Sequence, residues 1–385
     1  MIPARSRHCH RGANPEIPRL NGWKVGEAEI REPGDFGRRD QPRAWIPDGG
    51  FDERTSTDPA TSRASLMSRF PVAAGLMLGL VADELVGDPA RRHPVAGFGT
   101  AASVVERRMY ADSSAAGVGF AAMSVLPICL AGWVAERALT RRPLLRTAAV
   151  AVTTWTVVGG RSLRGVGSAM AAHLEAGRTE DARALVPSLC GRDSNSLDTD
   201  GMARATVESI AENTSDSVVG PLFWGAVAGL PGLLSYRAVN TLDAMVGHRS
   251  PRYARFGTAA ARTDDVLNLA PARLTAALTV VGAKSVAGSP RASWRAWRSD
   301  AAQHPSPNAG HCEAAMAGAL GVQLGGKTTY ASGTEDRPVL GSGSAPAVAD
   351  IDRAVRLSRF VQASALAVLA GGVVVVELLR QRGHR

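Results

Sequence analysis

The chain has 385 residues, with 44 Lys and Arg against 35 Asp and Glu, a formal net charge of +9. That length suits two average soluble domains or one polytopic membrane domain. The basic balance does not read as a nucleic-acid binder, because aromatics are only 5% and no Lys/Arg face with interleaved aromatic residues occurs. Basic loops beside apolar spans are the commoner source of such a balance. Cys9, Cys129, Cys190 and Cys312 are scattered with no CxxC pair, which argues against a disulfide framework and a structural zinc site.

Residues 1–66 are rich in Arg, Pro, Gly and acids and lack a sustained apolar period. They are expected to be disordered, and no apolar stretch makes them a signal peptide. Met67, just before "SRFPVAAGLMLGLVADELVG", offers a later start of translation. Residues 67–385 then form the folded part. A membrane span needs about 20 mostly apolar residues, and six runs approach that: Phe70–Gly87, Ala115–Ala135, Thr147–Gly160, Ser217–Tyr236, Val266–Ala283 and Phe360–Val376. The expectation is an all-α, polytopic membrane protein with about five or six apolar spans and polar motif loops. The competing reading is a soluble protein built of buried Ala-rich helices. The short, arginine-rich turn Glu136–Arg146 should face the cytoplasm.

Charged and polar residues gather where the apolar runs begin and end. In "ARATVESIAENTSDSVVGPLFWG", Arg204, Glu208, Glu212 and Asp216 are spaced by four and share one helical face. An i,i+4 ladder on a solvated face is the plain explanation. The ladder ends acid on acid, however, and Asn213, Thr214 and Ser215 add oxygen ligands that suit Mg²⁺ with phosphate. Asn240 and Asp243 stand one turn apart at the lip of the Ser217–Tyr236 run. Asp264, Asp265 and Asn268 open the next run, with Arg262 before them and Arg273 inside it. Charge at membrane level is costly and usually functional. "GRDSNSLD", with Arg192 and Asp193, reads as an anion-binding loop or a helix cap. Asp83, inside the first run, Asp88-Pro89 and His93-Pro94 read mainly as turn chemistry. Gly321–Thr328 fits the pattern G-x-x-x-x-G-K-[ST] around Lys327. The flanking sequence lacks the strand and helix that a phosphate cradle requires.

Taken in order, "GDPARRHPV", "GRDSNSLD", "ARATVESIAENTSDSVVGPLFW", "YRAVNTLDAMVGHRSPRYARFGTAAARTDDVLNLAPARLTA" and "SPNAGHCEAAMAGALGVQLGG" resemble the CobD/CbiB family of cobalamin biosynthesis, from about Leu66 to Arg359. The first 66 residues have no counterpart. His311-Cys312 stands where the family usually has Trp-Pro. The resemblance implies an integral protein of the cell membrane, crossing it several times. It implies a ligase forming a carbon–nitrogen bond, which attaches aminopropanol or its phosphate to the free carboxylate of adenosylcobyric acid to give adenosylcobinamide or its phosphate. ATP and Mg²⁺ are the expected cofactors, and other membrane enzymes of the pathway are candidate partners.

Joined to the residues above, this chemistry assigns catalysis to Glu208, Glu212, Asp243 and Asp264. Metal binding falls to Glu212, Asp216 and Asp265. The phosphates or the corrinoid would be held by Arg192, Arg204, Asn213, Asn240, Arg262 and Asn268. A corrinoid transporter and a non-catalytic scaffold are the rival classes. A transporter would place its carboxylates at the midplane, whereas these acids sit at span ends.

Overall fold

A computed structural model describes residues 69–88, 93–248, 250–330 and 333–383. The extension of residues 1–66 lies outside the described residues. Helix ends follow local chemistry. Helix α1 (Phe70–Val86) carries Pro71 in its first turn and stops at Gly87, where φ is 77°. Helix α2 (Pro94–Met109) is capped by His93, whose ring accepts from the Val95 N–H at 3.2 Å. Helix α3 (Ser114–Leu139) is capped by Ser113 and continues through Pro127. It turns at the arginine-rich stretch into α4 (Pro143–Val157). Two amphipathic helices, α5 (Gly160–Glu175) and α6 (Thr179–Leu185), lead to α7 (Thr199–Thr214), where Asp198 accepts from the Gly201 N–H at 2.8 Å.

Helix α7 does not end in a loop. A π-helical turn, Ser215–Val219, carries it into α8 (Gly220–Ala228). The chain reverses at Gly229, φ 66°, into α9 (Leu230–Leu242), which ends in a second π-helical turn, Asp243–Gly247. Helices α10 (Thr258–Gly282), α11 (Pro290–Asp300) and α12 (Ala309–Leu320) follow. An antiparallel hairpin of β1 (Leu324–Tyr330) and β2 (Gly333–Leu340) and the long α13 (Val348–Gly383) complete the order.

Small residues set the closest helix contacts. A Cβ on Gly75 would stand 2.5 Å from Val150 Cβ, and one on Gly79 would stand 2.4 Å from Thr154 Cβ. Helices α1 and α4 therefore meet along a Gly-x-x-x-Gly stripe, as closely packed helices in lipid do. One core joins α1, α4, α8 and α9 through Leu76, Val150, Leu222 and Leu233. A larger one joins α5, α7, α12 and α13 through Met170, Ile210, Met316 and Leu357. Outside these cores Leu78, Val81, Leu126, Leu130, Val152 and Val368 are exposed.

Among the described residues, three helical segments are long and apolar enough to cross a membrane: Ser114–Leu139, Thr258–Val286 and Val348–Gly383. Phe70–Gly87 and Thr147–Gly160 fall on the shorter α1 and α4. Ser217–Tyr236 is not one span but two helices folded back on each other at Gly229. The expected all-α class holds apart from the hairpin. That hairpin also disposes of the P-loop pattern: Lys327 lies exposed within a strand that follows a helix, the reverse of the strand–loop–helix order.

Candidate functional site

The two π-helical turns each begin with or contain one of the expected acids. Such turns insert one residue into a helix and recur at functional sites. Here they rotate Asp216 and Asp243 toward the start of α10. A cavity of about 70 Å³ results, lined by Glu212, Asp216, Asp243, Asp264, Asp265, Asn268, Ser306, Asn308 and Cys312. All five carboxylates assigned to catalysis or metal binding, other than Glu208, meet there.

Side-chain amides fix part of the rim. The Asn268 amide donates to Asp264 Oδ2 at 2.9 Å, and Asn240 donates to Asp264 Oδ1 at 3.4 Å. Asn268 Oδ1 accepts from the buried Tyr236 hydroxyl at 2.7 Å, and the same hydroxyl reaches the Asp216 carbonyl at 3.2 Å. Burial, reinforced by Asp264, Glu212 and Asp243, holds the Asp216 carboxyl well above the usual carboxylate range, with Arg237 opposing. Burial and the charges of Asp264, Asp265 and Glu212 push Asp243 up to about 7. Glu212 is raised too, chiefly by burial, against the pull of Arg337 and Arg192.

Such crowding of acids favours a cation among them. Among the described residues, no three His, Cys, Asp or Glu side chains form a ready-made metal cage. Mg²⁺ needs no such cage, since it binds through one or two carboxylates plus water and substrate phosphates. The carboxylate, amide and hydroxyl oxygens that make up most of the polar lining, beside the one thiol of Cys312, fit that ion. So does Asn308 Oδ1, which is buried without a hydrogen-bond partner while its amide donates to the Asp265 carbonyl at 2.7 Å.

The remaining expected residues lie elsewhere. Glu208 is fully engaged: Oε1 accepts from the Gly325 N–H at 2.7 Å, and Oε2 pairs with the buried Arg192 and stands 3.7 Å from Arg337. Arg204 turns away from the ladder and donates to the Lys327 carbonyl at 3.0 Å. Asn213 bonds back to Ser209 on its own helix at 3.0 Å. Arg262 is exposed and lines no part of the cavity. The four-residue ladder is thus divided. Its upper half, Arg204 and Glu208, meets the hairpin and its lower half faces the cavity; Glu212 still lies in the regular helix, and only Asp216 follows the register change at Ser215. Asp83 accepts from the Arg161 N–H at 3.0 Å and so serves the start of α5.

Sequence reasoning missed a second cluster next to the cavity. Arg337, from β2, contacts Glu208, Glu313 at 3.3 Å and His304. Burial and Glu208 hold the Glu313 carboxyl well above its usual range. Burial and Arg337 lower the His304 imidazole to about 4. Glu313 carried a signal in sequence, as a lone acid in the small apolar helix "AGHCEAAMAGAL". Tyr236 and Arg237 carried another, as polar groups ending an uncharged run.

The chain belongs to the CobD/Cbib protein family, whose pattern matches residues 76–358. Cobalamin biosynthesis protein CobD of Mycobacterium tuberculosis (strain ATCC 25618 / H37Rv) is 52% identical over 77% of this chain and 94% of its own length. The protein of that name from Chromobacterium violaceum is 43% identical over 73% and 90%. That from Sinorhizobium fredii is 38% identical over 79% and 97%. No solved structure matches.

Proposed function

We propose that this chain is a multi-pass protein of the cell membrane that forms an amide on a corrinoid. Aminopropanol, or its phosphate, is joined to the free side-chain carboxylate of adenosylcobyric acid, and ATP drives the step. The observation that carries the reading is the cavity in which Glu212, Asp216, Asp243, Asp264 and Asp265 converge, in a chain whose relatives bear the name cobalamin biosynthesis protein. A carboxylate does not condense with an amine unaided. Its oxygen takes the γ-phosphoryl group of ATP and ADP departs. The amine nitrogen then bonds to the carbonyl carbon, and phosphate leaves with that oxygen.

Glu212, Asp216 and Asp265 would hold Mg²⁺, which when bound neutralises phosphate charge. Asp243 would take the ammonium proton, and Asp264, fixed by Asn240 and Asn268, would orient the neighbouring groups. Glu208 acts as a positioning residue that anchors the hairpin and Arg192. Helices α1 and α4 would supplement the three long helices to give five apolar passes, with the α8–α9 pair folded back among them. An amphipathic corrinoid would reach the cavity from the membrane surface.

The test is purified protein in detergent with adenosylcobyric acid, aminopropanol phosphate and Mg-ATP. The expected result is ADP release that requires both other substrates, together with a corrinoid product heavier by the amine. Folded protein that makes no amide, yet moves corrinoid across proteoliposomes, would replace this reading with a transporter.

A further inference from the structure

A second cavity, of about 330 Å³, lies at the other end of the apolar helices. It is bounded by the start of α1, the α3–α4 turn, the reversal at Gly229 and the end of α13. Arg69, Arg146 and Arg380 face it. Glu136 is the acid in its wall, and both Glu136 oxygens are engaged: Oε1 pairs with Arg146, and Oε2 accepts from the Leu230 N–H at 3.0 Å. Buried Glu377 lies one turn before Arg380, so the positive groups remain in excess.

Arg146 is the informative residue. Its side chain is only 9% exposed, yet Nε and Nη1 are buried without any hydrogen-bond partner. A guanidinium with two orphaned donors is costly unless an acceptor arrives, and a planar fork of donors matches the oxygens of a phosphate. The surroundings identify the source of that phosphate. Leu144, Trp133, Val375 and Leu379, each within three residues in sequence of a lining residue, are all more than half exposed. Arg137 lies over the Trp133 ring at 5.7 Å, and Arg141 and Arg142 follow in the same turn. Apolar side chains for acyl chains, an interfacial Trp and a basic rim mark the depth of lipid headgroups.

We propose that this cavity binds the phosphate of an anionic phospholipid headgroup, held by Arg146 at the base and by Arg69 and Arg380 at the mouth. The bound lipid would tie α13 to α1, α3, α4 and the α8–α9 reversal.

The experiment titrates purified full-length protein in neutral detergent with phosphatidylglycerol, with phosphatidylcholine or with inorganic phosphate, and follows the melting temperature. Phosphatidylglycerol should raise it saturably and phosphatidylcholine should not. The variant Arg69→Gln/Arg380→Gln leaves the Glu136–Arg146 pair intact. It should need about fivefold more phosphatidylglycerol for each arginine removed. Arg146→Lys, which keeps the charge beside Glu136 but loses the fork, should also weaken the response. Equal responses to the two lipids would overturn the proposal, as would an unchanged titration in both variants. A full response to inorganic phosphate alone would assign the cavity to a soluble anion and overturn the lipid reading. Activity toward the corrinoid is not the readout, so failure here leaves the proposed reaction untouched.

Discussion

Glu212 stands where the two clusters meet, and its chemistry separates a structural ladder from a working site. An exposed i,i+4 pair contributes a few tenths of a kcal/mol. Glu180, which is 85% exposed and 3.4 Å from Arg183 Nε, forms an i,i+3 pair of the same exposed kind. Glu212 lines the acidic cavity instead. Glu212→Gln keeps the shape and removes a hard anionic donor. Activity should fall by at least about 100-fold, or roughly 2.7 kcal/mol of barrier. Raising Mg²⁺ should restore part of it, since weakened affinity is a mass-action defect. Glu180→Gln should be silent in the same assay. Near-normal activity of Glu212→Gln at limiting Mg²⁺ would move the site to Asp243 and Asp264. His304 supplies a pH signature outside the cavity. Its imidazole is lowered from 6.5 to about 4 in the fold, so the unfolded chain takes up the proton first. The stability it contributes is complete above pH 6.5 and is lost as pH falls from there through about 4. The melting-temperature gap between the native chain and His304→Gln should therefore narrow between pH 7 and pH 5. A gap that widens on acidification would show that the ring is held protonated.

The π-helical turns explain why these acids converge, and they rest on an unusually close contact. A Cβ on Gly220 would sit 2.1 Å from Tyr236 Oη and 2.2 Å from Cζ. Tyr236 is 1% exposed and links the Asp216 carbonyl to Asn268. Gly220→Ala must displace that ring. It should cost about 1–3 kcal/mol of stability, the usual range for overpacking, measured as a lower melting temperature. An unchanged melting temperature would show that α8 shifts freely. A Cβ on Gly247 would likewise meet Asp243 Oδ1 at 1.8 Å, so each turn depends on a glycine beside its key group. These features also mark the limit of what the sequence discloses. Asp216, Asp243, Asp264 and Asn268 were legible because acids and amides at the edge of uncharged runs need a reason to be there. The inserted residue of a π-helical turn has no composition of its own, so the ladder from Arg204 to Asp216 looked continuous. Arg262 was chosen for its nearness in sequence to Asp264, and helix rotation carries it to solvent. Arg337 and His304 were missed because their contacts with Glu313 and Glu208 join distant parts of the chain. The hairpin was missed because "GGKTTY" and "GTEDRPVL" are rich in the residues that also make turns.

At the scale of the molecule, the acidic cavity and the arginine-lined cavity occupy opposite ends of the apolar helices. Glu84, near the end of α1, pairs with Arg359 of α13 at 2.9 Å and with Arg164 of α5. Arg69, at the start of α1, shares the other cavity with Arg380. Helices α1 and α13 therefore run antiparallel, with basic residues at both ends of α13. From Arg359 to Arg380 is 21 residues, or about 31 Å of helix at 1.5 Å per residue, close to the roughly 30 Å hydrocarbon thickness of a bilayer. Glu377, the one charge between them, is 2% exposed and turned inward. Val368 lies near the middle of that stretch and is 52% exposed. If this face meets lipid, Val368→Arg places a charge at the midplane at a cost of about 2.5–3.5 kcal/mol on insertion scales. If it meets water, the change should be neutral, as surface substitutions usually are. The measurement is the fraction of protein that stays in alkali-washed membranes, with Arg356→Gln, outside the apolar stretch, as the control. Val368→Arg should lower that fraction and Arg356→Gln should leave it unchanged. Equal retention of the two variants would remove α13 from the bilayer, and with it the headgroup depth assigned to Arg146.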